Sequence, residues 1–283
     1  MSFYRLARLA ARTGQANYPR LMPVMVIGAE TALGETVVRR LLRTGGQVRV
    51  FVDPEHDDLI DEYRAVGVKV ARGTVDDVGR LEVALTQVHT VIHAADSLLD
   101  PPGEVLDGLA SVAEAALGAN VRRIVWPSWL GAGAPGGDAW LEMCAQAEAL
   151  LEDLPLETVV VRRALTYGVG DAFTTALAAA GAPDSEASAP PLWLGDLAET
   201  LVAADAQRGE DEVMRLVVEL AGPDVFGLRE FASALGDAVG RMRGVHLPPH
   251  AVGYLSADRL PGPGALGATG TRVADALPLL REG

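Results

Sequence analysis

Gly28 and Gly34 bracket a short turn, GAETALG, that follows the apolar run Val24–Ile27 and opens into the helix-forming run ETVVRRLL. A chain that reverses at one glycine and packs a helix closely at the next leaves that helix's first N–H groups free. The positive end of its dipole points the same way, so the turn is suited to an anion such as phosphate. Gly28 serves the reversal and Gly34 the close packing; Thr31, Ala32 and Leu33 lie between them, where backbone would approach the anion. Asp53 closes the next apolar run, QVRVFV. A carboxylate at that point accepts both hydroxyls of a ribose and repels a 2′-phosphate. No arginine follows it; Pro54 does. Together these residues read as a dinucleotide cradle that favours NAD over NADP. Two residues count against it locally: Thr31 adds bulk and Glu30 adds negative charge near the phosphate path.

Other residues with chemical capacity are few. Ser128 follows an apolar run and is either a site hydroxyl or a turn cap. His93 ends another apolar run and reads as a hydrogen-bonded strand-end histidine, and His246 and His250 flank a proline pair and read as loop residues. Cys144 is the only cysteine and has no basic neighbour in sequence, so an activated thiolate is not expected. Lys69 is the only lysine. No Cys/His cluster has metal-ligand spacing. The stretch SWLGAG lacks the glycine arrangement of a hydrolase nucleophile elbow.

The elements that must position these residues alternate. Nearly continuous apolar runs at 24–27, 47–52, 68–71, 90–94, 123–126 and 158–161 read as parallel strands covered on both faces. Helical segments are expected at 34–44, 57–66, 76–86, 104–119 and 138–151, with helix-ending glycines at Gly45, Gly67 and Gly118. This rhythm predicts an α/β fold, a doubly wound parallel (Rossmann) sheet, over residues 23–170. From 171 to 283 the pattern loosens into loops around one short helix. A helix at 196–206, a strand at 213–220 and helices at 228–239 and 272–280 follow, read as a smaller C-terminal lobe continuous with the first. Residues 1–22 carry four arginines and no acid and read as a flexible extension. A targeting segment, or a start at Met22 or Met25, are the alternatives.

The totals set outer bounds. The 283 residues are 49% hydrophobic and 22% charged, enough for a sizeable core. A net charge of −14 disfavours nucleic acid and anionic lipid as partners. No apolar run is long enough for a membrane span. One cysteine allows no internal disulfide and fits the cytoplasm.

From Val24 to about Gly240 the chain resembles the short-chain dehydrogenase/reductase superfamily, in particular its extended and atypical members, the NAD-dependent epimerase/dehydratase and NmrA-like groups. The resemblance is carried by GAETALG, VARGTVDD, TVIHAAD, VRRIVWPSW, VVVRRALTYGVGD and ELAGPDVFGLREFASALGDAVGR. It implies that Thr74 replaces an aspartate that touches adenine and that Ala94 and Ala95 line the adenosine side. It places Ser128 at the first of two site serines and Trp129 at the second. It also implies a tyrosine and, one helical turn on, a lysine after the fifth strand. A lysine so placed lowers the phenol's pKa for proton transfer. Those positions hold Trp140 and Cys144, while Glu148 fits the pattern that follows.

Three readings stay open on the sequence. The first is an NAD-binding protein without the usual proton relay that senses nucleotide or metabolite, with a protein partner or a second copy of itself as readout. The second is an atypical NAD-dependent oxidoreductase or epimerase-like enzyme acting on a small carbonyl or sugar-type metabolite, since hydride transfer needs only the nicotinamide and a positioned substrate. The third is a structural partner that keeps the fold and binds no nucleotide. Whether the chain is an enzyme is not fixed by its residues.

Overall fold

The computed structural model describes residues 22–95, 97–135, 138–183, 186–206, 215–240, 245–263, 265 and 270–281. The expected extension, apart from Met22, and the start of the strand expected at 213 lie outside them.

Strands β1 (Val24–Ile27), β2 (Val48–Val52), β3 (Lys69–Arg72), β4 (Thr90–His93), β5 (Arg123–Trp126) and β6 (Glu157–Arg163) alternate with helices. These are α1 (Ala32–Arg43), α2 (Asp58–Ala65), α3 (Val78–Leu85), α4 (Pro102–Gly118) and α5 (Ala139–Glu152). The C-terminal half adds β7 (Thr166–Tyr167), α6 (Ala172–Ala180), β8 (Ser188–Ala189), β9 (Leu192–Trp193) and α7 (Leu194–Ala206). It continues with β10 (Arg215–Leu220), β11 (Phe226–Gly227), α8 (Leu228–Val239), α9 (Pro249–Leu255) and α10 (Val273–Leu280).

A seven-stranded sheet runs in the order β10-β6-β5-β4-β1-β2-β3. Every pairing in it is parallel, with Val24 opposite both Val48 and Thr90. The strand period of two puts alternate side chains on opposite faces. Met25 and Ile27 enter the core under α3, α4 and α5, whereas Val24 and Val26 enter the core under α1 and α7. Both faces are therefore dry, which is why the strands read as unbroken apolar runs rather than alternating ones. β10 comes from the C-terminal half yet pairs with β6, so the two halves share one sheet.

Strand order reverses between β1 and β4, which opens a crevice at their carboxyl ends. At the amino ends of β5 and β6, Arg123 and Glu157 form a buried ion pair. Arg123 also donates to the carbonyls of Ala204 and Asp205 at the end of α7. A cation there meets the negative end of that helix.

Several local expectations change. Gly45 and Gly67 do end helices with φ of +75° and +85°, but Gly118 is the last helical residue of α4, and Asn120 takes the left-handed turn instead, at φ +55°. α9 had no counterpart among the expected elements, and it carries His250, which was read as a loop residue.

Candidate functional site

The site is built outward from the β1–α1 turn. Gly28 has φ +82°, and a Cβ there would fall 2.5 Å from the Cα and N of Ala95. Only glycine combines that angle with that approach. A Cβ on Gly34 would lie 1.9 Å from the Gly28 carbonyl oxygen, so the first turn of α1 rests directly on the reversal. The Ala94 amide donates to Ile27 O at 2.8 Å and ties the end of β4 to the end of β1. The structure thus brings Gly28, Thr31, Ala32, Leu33, Gly34, Ala94 and Ala95 together at the switch point.

Thr31 behaves differently from the expectation of added bulk. It is the N-cap of α1: its Oγ1 accepts the Gly34 amide at 3.0 Å. The hydroxyl proton is shared between Gly28 O at 2.8 Å and Ala94 O at 3.0 Å. The side chain is folded back into the protein and links the turn to β4. The first-turn N–H groups of Ala32 and Leu33 have no intrahelical acceptor, as at any helix start. Gly170, in the loop between β7 and α6, approaches them; a Cβ there would sit 3.9 Å from that of Ala32.

Asp53 ends β2 beside this crevice, and its Oδ1 accepts the Glu55 amide at 2.8 Å, capping a single helical turn at Pro54–His56. Glu30 is half-buried. Desolvation raises its carboxyl above the ordinary value, against opposing help from its own backbone amide; His56, Asp53 and His93 are its ionisable neighbours. Its Oε2 is buried with no hydrogen-bond partner among the described residues. Tyr63, from α2, donates to Ala29 O at 2.5 Å and fixes the backbone just before Glu30. Thr74 is exposed at the head of the turn into α3, two strand positions from β1.

At the end of β5 the surroundings are closed. Ser128 has no exposed surface, and its hydroxyl donates to Glu148 Oε1 at 2.6 Å. Glu148 is itself held by the Arg162 guanidinium, Nη2 to Oε2 at 2.6 Å. That hydrogen bond is the main reason Arg162 is held above its ordinary pKa. Trp140 and Cys144 are fully buried on α5. Trp129 meets Trp140 edge-on, with ring centroids 5.8 Å apart, and meets Tyr254 edge-on at 5.2 Å. His250 stacks on Trp140, and the Arg163 guanidinium lies over the Trp129 ring, 3.9 Å from its centroid. Trp129 Nε1, Trp140 Nε1 and the Tyr254 hydroxyl have no hydrogen-bond partner among the described residues. Asp138 caps α5 through the amides of Trp140 and Leu141 and accepts from Arg259 at 3.0 Å, anchoring the segment after α9.

His250 therefore belongs to this wall rather than to a loop. Its Nε2 is 2.9 Å from Leu98 O, and it is carried on α9. The signal for α9 was present: a proline at the first helical position of PHAVGYL is a helix start. Sequence reasoning also missed Tyr254 and Arg163, which reach the wall from elements remote in the chain.

The proton chemistry available is limited. Burial raises the phenols of Tyr63, Tyr167 and Tyr254 above the ordinary tyrosine value. Lys69 is on the outer strand β3, separated from β5 by β4, β1 and β2. Among the described residues no group of His, Cys, Asp and Glu is arranged to hold a metal ion, and no helix is long and apolar enough to cross a membrane.

An NmrA-like family model matches residues 22–142. No curated protein sequence matches the chain. Among solved structures, the chain is similar to UDP-glucose 4-epimerase from Thermotoga maritima, solved with UDP-glucose. The TM-score is 0.69 at 16% identity, covering 92% of this chain and 98% of that one. It is also similar to UDP-glucose 4-epimerase from Bifidobacterium longum in complex with NAD+ and UDP, with a TM-score of 0.69 at 15% identity over 92% and 97% of the two chains. A third is the Thermus thermophilus UDP-glucose 4-epimerase in complex with NAD, at TM-score 0.65 and 19% identity over 92% and 98%. At these identities the likeness is one of fold.

Proposed function

We propose, for a chain whose residues 22–142 match the NmrA-like family and whose fold is that of the extended and atypical short-chain dehydrogenases/reductases, that it binds NAD without a tyrosine–lysine relay and acts by nucleotide-dependent binding. The observation that carries this reading is a contrast along one edge of the sheet. The β1–α1 turn keeps the conformation a pyrophosphate needs, while the end of β5 is filled by Trp129, Trp140, Tyr254 and His250.

The residues present fit the cofactor at its adenosine end. A Cβ at Gly28 or Gly34 would destroy the turn, and the amides of Ala32 and Leu33 stand at a helix N-terminus, so these groups would hold the pyrophosphate. Asp53 would face the ribose, where an acid disfavours a 2′-phosphate. When bound, the nicotinamide supplies the capacity to take or give a hydride. The chain's own groups nearby supply exclusion of water: Trp129 and Trp140 are buried indoles, unable to act as acids near neutral pH. Ser128, the one candidate hydroxyl, donates to Glu148. The NAD and NAD+ in the two epimerase structures support the same choice of cofactor.

Isothermal titration with NAD, NADH, NADP and NADPH tests the reading. Binding of the NAD pair in preference to the NADP pair is expected, and silence toward all four overturns it. Sustained NADH oxidation with a carbonyl, quinone or UDP-sugar substrate would overturn the non-catalytic half alone.

A further inference from the structure

We propose that β10 is the docking edge for a second copy of this chain, the two β10 strands pairing antiparallel about a twofold axis at Val217 and joining two sheets into one. The inference is independent of what the crevice binds.

The central sheet has two edge strands, β3 and β10. An edge strand presents unpaired backbone groups and pairs with another chain unless charge, proline or a covering segment prevents it. β3 carries Lys69 and Arg72, both exposed and of one sign, which repel a second β3. β10, RLVVEL, has neither proline nor lysine, and Val217 in its middle is 53% exposed. Leu216 and Val218 pack on the core under α1 and α7, so Arg215, Val217 and Glu219 share the other face. The segment after α9 reaches the strand at its carboxyl end, where the Gly262 amide donates to Glu219 Oε2 at 2.6 Å. That segment leaves Leu260 54% exposed, so apolar surface continues beyond the strand.

The backbone fixes which groups are on offer. Leu220 O accepts the Ala164 amide at 2.8 Å, so Leu220, and with it Leu216 and Val218, turns its N–H and C=O toward β6. The direction alternates along a strand, so Arg215, Val217 and Glu219 turn theirs outward. Among the described residues no backbone hydrogen bond reaches those outward groups. In an antiparallel ladder, opposed residues exchange both hydrogen bonds at every second position. Centred on Val217, the pairing sets Val217 against Val217 of the second copy and Arg215 against its Glu219. The bonded positions are then the three that face outward.

The charges select the same register. Each Arg215 meets a Glu219 across the axis, whereas centring on Arg215 or on Glu219 would oppose like charges. The groups that hold these two side chains are neutral: the carbonyls of Glu152 and Leu154 for Arg215, and the Gly262 amide for Glu219. Arg162, opposite Glu219 on β6, is committed to Glu148. A contact of this kind uses the same patch on both copies and closes at two.

Sedimentation equilibrium of the full chain over a concentration series tests the proposal. Wild type is expected to form a dimer that dissociates on dilution. Val217→Pro removes an outward amide and leaves the ladder to β6 intact, and it should be monomeric. Arg215→Glu and Glu219→Arg each oppose like charges twice across the axis, and each alone should weaken dimerisation by about tenfold or more. An equimolar mixture of these two should recover the dimer, because every glutamate then faces an arginine. Thermal melts matching wild type accompany each variant, so a lost dimer is not a lost fold. A wild type that is monomeric at every concentration overturns the proposal. So does a dimer that Val217→Pro leaves intact, or a mixture that associates no better than its components.

Discussion

Trp140 and His250 stack face to face, with ring centroids 5.5 Å apart and planes 16° from parallel, although one is on the helix after β5 and the other on α9 near the C-terminus. This contact closes the end of β5 with the chain's own aromatic rings and joins the late segment to the central sheet. Trp140 is fully buried, so Trp140→Ala removes its transfer energy and leaves a cavity. The expected loss is about 3–5 kcal/mol. Urea unfolding should show the midpoint falling with an unchanged slope. His250→Ala should cost less, about 0.5–1.5 kcal/mol for the ring pair beyond area.

Placing a tyrosine–lysine pair on α5 should fail for a related reason. Cys144 has no exposed surface. A lysine at that position would bury an ammonium at a penalty of several kcal/mol unless it found a partner. Cys144→Lys, alone or with Trp140→Tyr, is expected to lower the melting temperature and to give no reductase activity. A stable double variant that reduces carbonyls would show that the site is more open than its packing implies.

The turn is more sensitive at Gly28 than at Thr31. Gly28→Ala places a residue at φ +82°, which costs about 1–3 kcal/mol from the backbone alone, before the contact with Ala95. It should abolish NAD binding by calorimetry.

Thr31→Gly, by contrast, loses only a few tenths of a kcal/mol as a cap. The threonine side chain is turned back toward Gly28 O and Ala94 O, so NAD affinity should stay within the same order of magnitude. A large gain in affinity would mean that the threonine does obstruct the phosphates.

Glu30 gives a pH signature. Burial raises its folded-state pKa above the ordinary carboxylate value. The folded protein therefore holds this proton more tightly than the unfolded chain. The contribution to stability is full below the unfolded value and is lost as pH rises through the folded one. Glu30→Gln should raise the melting temperature at pH 7 to 8 and change it little at pH 4. Equal melting curves at both pH values would contradict burial of the charge.

Much of the framework was legible in the residues. The apolar runs at 24–27, 90–94 and 123–126 fall on strands because parallel strands covered on both faces leave no polar alternation to obscure them. Gly28 could be placed at a reversal because a left-handed turn after a strand has a short-range signature. The short strands β7, β8, β9 and β11 gave no such signal. Each has two residues, held by pairing with distant segments rather than by its own pattern.

What the sequence by itself determined was the doubly wound sheet and the position of the glycine turn, since both follow from local pattern and residue identity. Only the tertiary structure decided which way side chains point. It turned the Thr31 hydroxyl back onto Ala94 O, left Glu30 Oε2 buried and unpartnered, and gathered Trp129, Trp140, Arg163, His250 and Tyr254 into one wall. The physical reason is range. Strand and helix periods are set by neighbours a few residues away, whereas burial and hydrogen bonding of a side chain depend on segments that meet only when the chain is folded.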